Sequence, residues 1–185
     1  MGRVTLVTGG CRSGKSAYAQ AQAEGTAGRR LYLATGPALD AEMARRIEAH
    51  QKARAGRGWE TVEEPMDPAR VLRESAGEYA VCLLDCLTLW VNNRMFEAER
   101  WGGDLDEAGM EQHARNLLEA CREFGGAVFL VTNEVGMGIV PENALARRFR
   151  DLAGRCNQVV AAGADGVTLV VSGLPLHLKG KGAGQ

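Results

Sequence analysis

The sequence predicts an α/β fold with three layers, in which a doubly wound, mostly parallel sheet carries helices on both faces. Short apolar runs rich in β-branched residues alternate with helical patterns along the chain, which is the order that parallel sheets require. Several predicted strands are apolar at consecutive positions, as in residues 81–84, and this is typical of strands covered on both faces. The 185 residues suffice for one domain, which we place at residues 1–179.

The individual elements follow from hydrophobic periodicity and turn residues. Strands are predicted at residues 4–8, 30–34, 79–85, 127–133 and 166–172, with a further edge strand at 174–179 and a short strand at 59–63. Helices are predicted at 14–24, 38–54, 67–76, 86–97, 106–124 and 141–163. Residues 97–106 are predicted to be a loop that forms part of a lid or a subunit contact. The glycine-rich, polar residues 180–185 are expected to be a disordered tail.

The composition gives no support for several classes of partner, metal site and cellular location. The 22 basic and 23 acidic side chains give a net charge of −1, so there is no electrostatic reason to expect a nucleic-acid or membrane partner. The five cysteines are odd in number and lack C-x-x-C spacing, which argues against a disulfide framework or a zinc site. No secretory leader is expected before a strand that begins at residue 4, and no apolar run approaches the roughly 18 residues of a membrane span. We therefore expect a cytoplasmic protein without stable membrane insertion.

A phosphate-binding loop is predicted directly after the first strand. Residues 9–16 match the pattern G-x-x-x-x-G-K-[ST], with a strand before them and a helix-forming run after them. Glycines let the backbone wrap around phosphate, and N–H groups at the start of the helix point at the anion. Lys15 can reach the outer phosphates, and the Ser16 hydroxyl can ligate Mg²⁺. The pattern predicts nucleotide-phosphate binding but not the reaction that follows it.

Polar residues at the ends of the predicted strands are further candidates, because open α/β sheets bind ligands at the carboxyl ends of their strands. They are Thr35, Asp85, Asn133 and Glu134. Asp85 directly follows an apolar run. In nucleotide-binding proteins an aspartate at this position holds Mg²⁺ opposite the loop serine, and we predict the same role for Asp85. The alternative interpretation is that Asp85 caps the N-terminus of the next helix. Residues 133–143 contain two glycines and a proline, which favours a shaped substrate-binding wall over a plain connector.

The three histidines differ in their surroundings. His50 lies in a predicted helix among arginines and lysines, whereas His113 is expected on a helix surface and His177 is expected to be structural or exposed. A lone helical histidine is more often structural than catalytic. Neighbouring cations, however, favour the neutral imidazole, which is the nucleophilic form. The residues alone leave both interpretations of His50 open.

Taken together, these motifs resemble the bifunctional adenosylcobinamide kinase/adenosylcobinamide-phosphate guanylyltransferase family of cobalamin biosynthesis. The resemblance covers nearly the whole chain. It rests on residues 8–16, on residues 32–35, on residues 42–47 followed by His50, and on residues 59–63, 132–143 and 149–158. Phosphate loops occur in many families, but this set of motifs in this order is specific to one.

The resemblance implies two reactions. A nucleoside triphosphate, ATP or GTP, phosphorylates adenosylcobinamide, and GTP then donates GMP to that phosphate, giving adenosylcobinamide-GDP and pyrophosphate. In the family GMP passes through a covalent histidine adduct, and the matching position is His50, so the resemblance favours the catalytic interpretation. It also implies a homo-oligomer, typically a trimer. The phosphate loop itself predicts Lys15 as a catalytic residue and Mg²⁺ at Ser16 and Asp85. The implied nucleotide-contacting positions are Gly9, Gly10, Cys11, Arg12, Ser13, Gly14, Lys15, Ser16, Ala34, Thr35, Gly36, Gln51, Lys52, Ala53, Arg54, Glu63 and Asp85.

Two other functions remain compatible with the phosphate loop. One is a monofunctional small-molecule kinase without guanylyl transfer, and the other is a nucleotide-gated switch protein. Neither requires a protein nucleophile. A covalent adduct derived from GTP would therefore distinguish the bifunctional enzyme from both.

Overall fold

The computed structural model describes residues 2–36, Arg45, Glu48, Lys52 and residues 54–180. Most of the predicted helix at 38–54, and residues 181–185, lie outside the described residues. The strands are β1 (Val4–Thr8), β2 (Arg30–Ala34), β3 (Trp59–Glu63), β4 (Val81–Asp85), β5 (Ala127–Val131), β6 (Gly166–Val171) and β7 (Leu174–Lys179). They form one sheet in the order β3-β2-β4-β5-β1-β6-β7. Only the β6–β7 pairing in this sheet is antiparallel.

The helices in the described part of the chain are α1 (Lys15–Glu24), α2 (Pro68–Glu74), α3 (Leu87–Arg100), α4 (Glu107–Glu123) and α5 (Ala144–Gly163). Three of them begin at side chains that accept a backbone hydrogen bond from the first turn. Asp67 caps α2, Asp106 caps α4 and Asn143 caps α5. Each cap satisfies an N–H group that the helix itself leaves unpaired.

The sheet separates two apolar clusters. On one face α1 packs through Ala19 and Ala23 against a cluster that includes Leu83 and Phe129. On the other face helices α2 to α5 pack against a cluster that includes Leu84. Consecutive strand residues point to opposite faces, so the continuous apolar runs reflect burial on both sides. The structure thus confirms the predicted three-layer, mostly parallel α/β fold.

The end of α3 differs from the prediction. Residues 97–100 were expected in a loop, but they complete the helix, which ends where Gly102 adopts a positive φ of 72°. The N–H group of Gly103 then donates to the carbonyl of Ala98 at 2.9 Å, as in the usual glycine termination of helices. The predicted loop therefore began too early: residues 101–106 lie outside the helix as expected, but the helix continues to Arg100 before Gly102 ends it. None of the helices described is long and apolar enough to cross a membrane.

The strand register shows which residues lie together at the carboxyl edge of the sheet. Glu63, Ala34, Asp85, Val131 and Val7 are paired in one row across five parallel strands. Neighbouring strands lie about 4.8 Å apart. Asp85 is therefore two strands, or about 10 Å, from β1 and its loop, while β3 is about 19 Å from β1.

Candidate active site

The phosphate loop is built between β1 and the turn that joins β6 to β7. Gly14 has a φ of +92° at the start of α1, a conformation that side chains other than glycine rarely adopt. A Cβ atom on Gly9 would lie 2.4 Å from the carbonyl oxygen of Val170, so the backbone approach there also requires glycine. The N–H group of Gly173 donates to the carbonyl of Ser13 at 2.8 Å. These contacts hold the loop against the sheet.

Two polar side chains of the loop are buried. Lys15 extends across the loop, and its Nζ donates to the carbonyl of Gly10 at 3.1 Å. An ammonium group has three donors, so Lys15 has hydrogens left for an anion. The Ser13 hydroxyl is buried and has no hydrogen-bond partner among the described residues. Because a buried polar group without a partner is unfavourable, both side chains are suited to a phosphate ligand.

A cavity of about 540 Å³ runs along the carboxyl edge from the phosphate loop to β3. Its size lies within the range of small-molecule sites. It brings together predicted site residues from the loop and from three strand ends. The residues that line it are Cys11, Arg12, Ser13, Gly14, Lys15, Ser16, Ala17, Tyr32, Ala34, Gly36, Arg54, Thr61, Glu63, Asp85, Cys86, Thr88, Leu89 and Asn133.

One wall of the cavity is formed by Arg54, Tyr32 and Asp85. The Tyr32 hydroxyl donates to Oδ2 of Asp85 at 3.2 Å, and burial together with the Asp85 carboxylate raises the pKa of Tyr32, which keeps the phenol protonated. The Arg54 guanidinium lies 3.3 Å from the centre of the Tyr32 ring. Arg54 is 5% exposed, and its Nε and Nη1 have no partner among the described residues. A buried cation with unpaired donors favours an anionic ligand.

Thr35 hydrogen-bonds to Cys86, the residue that follows Asp85. Thr35 is fully buried and does not line the cavity. Its hydroxyl donates to the carbonyl of Cys86 at 2.7 Å and accepts from the Cys86 N–H at 2.8 Å. The N-cap of α3 is Cys86 and no side chain caps it, so the alternative of Asp85 as a helix cap is wrong. Burial, followed by the nearby Asp85, raises the pKa of the Cys86 thiol to about 12.

Ser16 and Asp85 fit the donor chemistry of Mg²⁺. Both line the cavity, and both offer the hard oxygen donors that Mg²⁺ prefers. In the part of the chain that the structure describes, no group of three or more His, Cys, Asp or Glu side chains could hold a metal. Mg²⁺ is usually bound by one or two protein ligands together with phosphate oxygens and water, so two protein donors are compatible with a metal that binds with the nucleotide.

Several predicted site residues lie elsewhere. His50, Gln51 and Ala53 lie outside the described residues, and their roles stay predictions. Gly9, Gly10 and Lys52 do not line the cavity. Lys52 is exposed, and its Nζ lies 2.7 Å from a carboxylate oxygen of Glu48.

The other two histidines lie away from the cavity. The prediction of His113 as a surface residue was wrong, because the ring is half-buried in the contact between α3 and α4. Nη2 of Arg94 lies 2.8 Å from its Nε2, and burial and the Arg94 charge lower its pKa. His177 is exposed on β7, with Nδ1 3.1 Å from the Thr168 hydroxyl.

Six residues that line the cavity were not predicted as site residues from the sequence. Ala17 lies on α1, Tyr32 lies on β2 and Thr61 lies near the end of β3. Cys86, Thr88 and Leu89 lie where β4 passes into α3. A strand end followed at once by a helix at the ligand-binding edge is the signal that could have found the last three. Of the strand-end candidates, Asn133 lines the cavity and Glu134 does not. Glu134 instead accepts a hydrogen bond from the Thr8 hydroxyl at 2.8 Å.

Comparisons with known proteins agree with this architecture. Residues 5–178 match the CobU family, described as "Cobinamide kinase / cobinamide phosphate guanyltransferase". The chain is 45% identical over 183 residues to the bifunctional adenosylcobalamin biosynthesis protein CobU of Escherichia coli K12, covering 94% of this chain and 98% of the relative. It is 40% identical over 178 residues to the bifunctional protein CobP of Pseudomonas aeruginosa PAO1, covering 95% and 97%.

A solved structure shares the fold. It is a KaiC-like protein from the archaeon Pyrococcus horikoshii, with a TM-score of 0.50 and 17% identity, covering 90% of this chain and 70% of that one. At this identity the likeness concerns the fold alone. The match across residues 5–178 and the nearly full-length relatives show that the chain belongs to the cobinamide kinase/cobinamide phosphate guanyltransferase family.

Proposed function

We propose that this protein is a bifunctional enzyme of adenosylcobalamin biosynthesis. It phosphorylates adenosylcobinamide with a nucleoside triphosphate, then transfers GMP from GTP to adenosylcobinamide phosphate and releases pyrophosphate. The observation that carries the proposal is the family match across residues 5–178, joined to a phosphate loop that faces a cavity of nucleotide size. The relatives are named as bifunctional proteins, which supports two reactions over a kinase alone.

In the kinase step, the phosphate loop binds the triphosphate through its N–H groups and Lys15. Two backbone hydrogen bonds already hold the loop in this conformation, from the Gly173 N–H to the carbonyl of Ser13 and from the Glu134 N–H to the carbonyl of Gly9. Lys15 stabilises the charge that develops on the phosphoryl oxygens during transfer. Ser16 and Asp85 would hold Mg²⁺, which neutralises phosphate charge when bound.

In the guanylyl-transfer step, His50 acts as the nucleophile. Its imidazole nitrogen forms a bond to the α-phosphorus of GTP, and the bond to the bridging oxygen breaks so that pyrophosphate leaves with the electron pair. A phosphate oxygen of adenosylcobinamide phosphate then displaces the histidine from the same phosphorus. This division replaces one difficult transfer by two displacements. Arg54 follows His50 by four residues in the sequence, and it is a buried cation with two donors that have no partner among the described residues, which supports phosphate binding at this part of the cavity.

We also propose that the protein forms a homo-oligomer, as a trimer, in the cytoplasm. Strand β7 exposes Leu174, Leu176 and Leu178, and Val171 at the end of β6 is also exposed. An apolar edge strand of this kind is a surface that proteins normally cover, which supports self-association. All five cysteine thiols are free, which supports a reducing compartment. Light scattering coupled to size exclusion tests the trimer, and a monomeric mass would contradict it.

The two reactions are tested separately with the purified protein. Adenosylcobinamide, Mg²⁺ and ATP or GTP should give adenosylcobinamide phosphate, detected by mass spectrometry. Supplied adenosylcobinamide phosphate and GTP should give adenosylcobinamide-GDP and one pyrophosphate for each product. Phosphorylation without pyrophosphate release would reduce the function to that of a kinase, and turnover in neither assay would refute the proposal.

A further inference from the structure

Asn133 lies between the phosphate loop and Asp85. Strand β5 separates β1, which leads into the loop, from β4, which ends at Asp85. Val131 pairs with both Val7 and Asp85, and Asn133 follows two residues beyond it and lines the cavity. Since each neighbouring strand is about 5 Å away, Asn133 lines the cavity between the phosphate loop and Asp85.

Hydrogen bonds fix which way the Asn133 amide faces. The Thr132 hydroxyl donates to Oδ1 of Asn157 at 2.7 Å. A hydroxyl carries one hydrogen, so in the 3.3 Å contact between Thr88 and Thr132 the hydrogen comes from Thr88. The Thr88 oxygen can then only accept from Asn133, and it does so from the backbone N–H at 2.8 Å and from Nδ2 at 3.2 Å. The amide nitrogen of Asn133 must therefore face Thr88.

The same network reaches the start of the phosphate loop. Nδ2 of Asn157 donates to the carbonyl of Asn133 at 3.2 Å and to Oε1 of Glu134 at 3.5 Å. Oε1 of Glu134 also accepts from the Thr8 hydroxyl at 2.8 Å, and the Glu134 N–H donates to the carbonyl of Gly9 at 3.2 Å. Connected hydrogen-bond networks of this kind restrict the movement of their members. The part-buried network therefore fixes the position of Asn133 relative to the phosphate loop.

We propose that Asn133 is a catalytic residue of the kinase step, which donates a hydrogen bond to an oxygen of the transferred γ-phosphoryl group. An amide nitrogen carries two hydrogens; one is used on Thr88, and the second is available to the cavity. In the reaction the acceptor hydroxyl oxygen forms a bond to the γ-phosphorus, the bond to the β,γ-bridging oxygen breaks with its electron pair leaving on the nucleoside diphosphate, and the hydroxyl proton is released to water. This inference rests on the proposed function.

The role is specific to one of the two reactions. In phosphoryl transfer, charge develops on the oxygens around the γ-phosphorus, where the Asn133 donor lies beside the loop. In guanylyl transfer the bonds change at the α-phosphorus, and the γ-phosphate is only the far part of the leaving pyrophosphate. Loss of the donor should therefore slow the first reaction far more than the second.

The test uses Asn133→Ala and Asn133→Asp, with Asn116→Ala as the matched control. Asn116 is a partly buried asparagine on α4 that accepts from Arg73 and does not line the cavity. The Asp variant keeps the shape of the side chain but replaces the donor with a carboxylate, so it serves as the second variant if alanine disturbs folding. Kinase turnover, guanylyl transfer to supplied adenosylcobinamide phosphate, nucleotide affinity and thermal unfolding are measured for each.

We expect kinase turnover to fall by about 10²–10³-fold in both Asn133 variants, the usual effect of removing one positioned donor. In Asn133→Ala, guanylyl transfer and nucleotide affinity should stay within about threefold of the parent. Asn133→Asp adds a negative charge beside the triphosphate, so its nucleotide affinity should also fall, but by less than its kinase turnover. Asn116→Ala should match the parent in both reactions and in nucleotide affinity. Three results would overturn the role of Asn133 but leave the proposed function intact. They are an equal loss of both reactions, a loss of nucleotide affinity as large as the loss of kinase turnover, and unchanged kinase turnover. A parent protein that performs neither reaction would overturn the proposed function, and the inference with it.

Discussion

Replacing Arg54 by methionine should stabilise the nucleotide-free protein while weakening nucleotide binding. Arg54 is buried, and two of its nitrogen atoms, Nε and Nη1, have no partner among the described residues. Each unpaired buried donor is unfavourable by about 1–3 kcal/mol. The contact with the Tyr32 ring at 3.3 Å offsets about 0.5–2 kcal/mol of this total. Methionine has a similar length and packs well on aromatic rings, so the net gain in unfolding free energy should be about 2 kcal/mol.

Thermal denaturation measures this gain directly. For a protein of this size, 2 kcal/mol corresponds to a rise in Tm of roughly 4–8 °C. A high concentration of GTP with Mg²⁺ should shrink or reverse the difference, because stabilisation by a ligand grows with the logarithm of its concentration over Kd and the variant lacks a cation that faces the ligand. The control is Arg57→Met, which removes an exposed arginine 3.2 Å from Glu24 and should change stability by less than about 1 kcal/mol. A nucleotide-free Arg54→Met protein that melts below the parent would show that Arg54 does not destabilise the free protein, and an unchanged GTP affinity would show that Arg54 does not bind the nucleotide.

Three further predictions concern the loop and its neighbours. Lys15→Ala should slow both reactions by about 10²–10³-fold, and parental turnover with an intact circular dichroism spectrum would exclude this loop as the shared triphosphate site. Asp85→Asn should shift the Mg²⁺ dependence of turnover more than nucleotide affinity; superimposable metal titrations would contradict this. At pH 8 a maleimide should label Cys11 alone in the folded protein, since Cys11 is exposed, while burial raises the pKa of Cys82 well above its usual range and those of Cys86, Cys121 and Cys156 to about 12. GTP should protect Cys11, and mass spectrometry that finds a second labelled cysteine before unfolding would count against the buried assignments.

The strands and the phosphate loop could be predicted because their causes are local. Strand β1 is a short β-branched run, and the loop is specified by two glycines, Lys15 and Ser16 within eight positions. The edge on which the site lies also followed, since parallel strands place their carboxyl ends together. These features depend only on neighbouring residues and on general rules of sheet topology.

The missed features join residues that are distant in sequence. The hydrogen bonds among Thr88, Thr132 and Asn157 form because α3 and α5 pack beside the end of β5. No local sequence pattern predicts these contacts. The stacking of Arg54 on Tyr32 likewise depends on tertiary packing. His113 was assigned to the surface by its helix position, whereas its partner Arg94 lies on another helix. Side-chain burial and pairing of this kind are decided by packing between elements, not by periodicity within one.

Mass spectrometry of the intact protein after incubation with GTP and Mg²⁺ shows whether GMP passes through His50. We expect one GMP adduct per chain, mapped to His50 under non-acidic conditions because a phosphorus–nitrogen bond is labile in acid. His50→Ala should lose the adduct and guanylyl transfer while retaining the kinase step, which needs no protein nucleophile. His113→Ala and His177→Ala, which alter histidines outside the cavity lining, should retain the adduct. An adduct on any other residue, or undiminished guanylyl transfer by His50→Ala, would exclude His50 as the nucleophile.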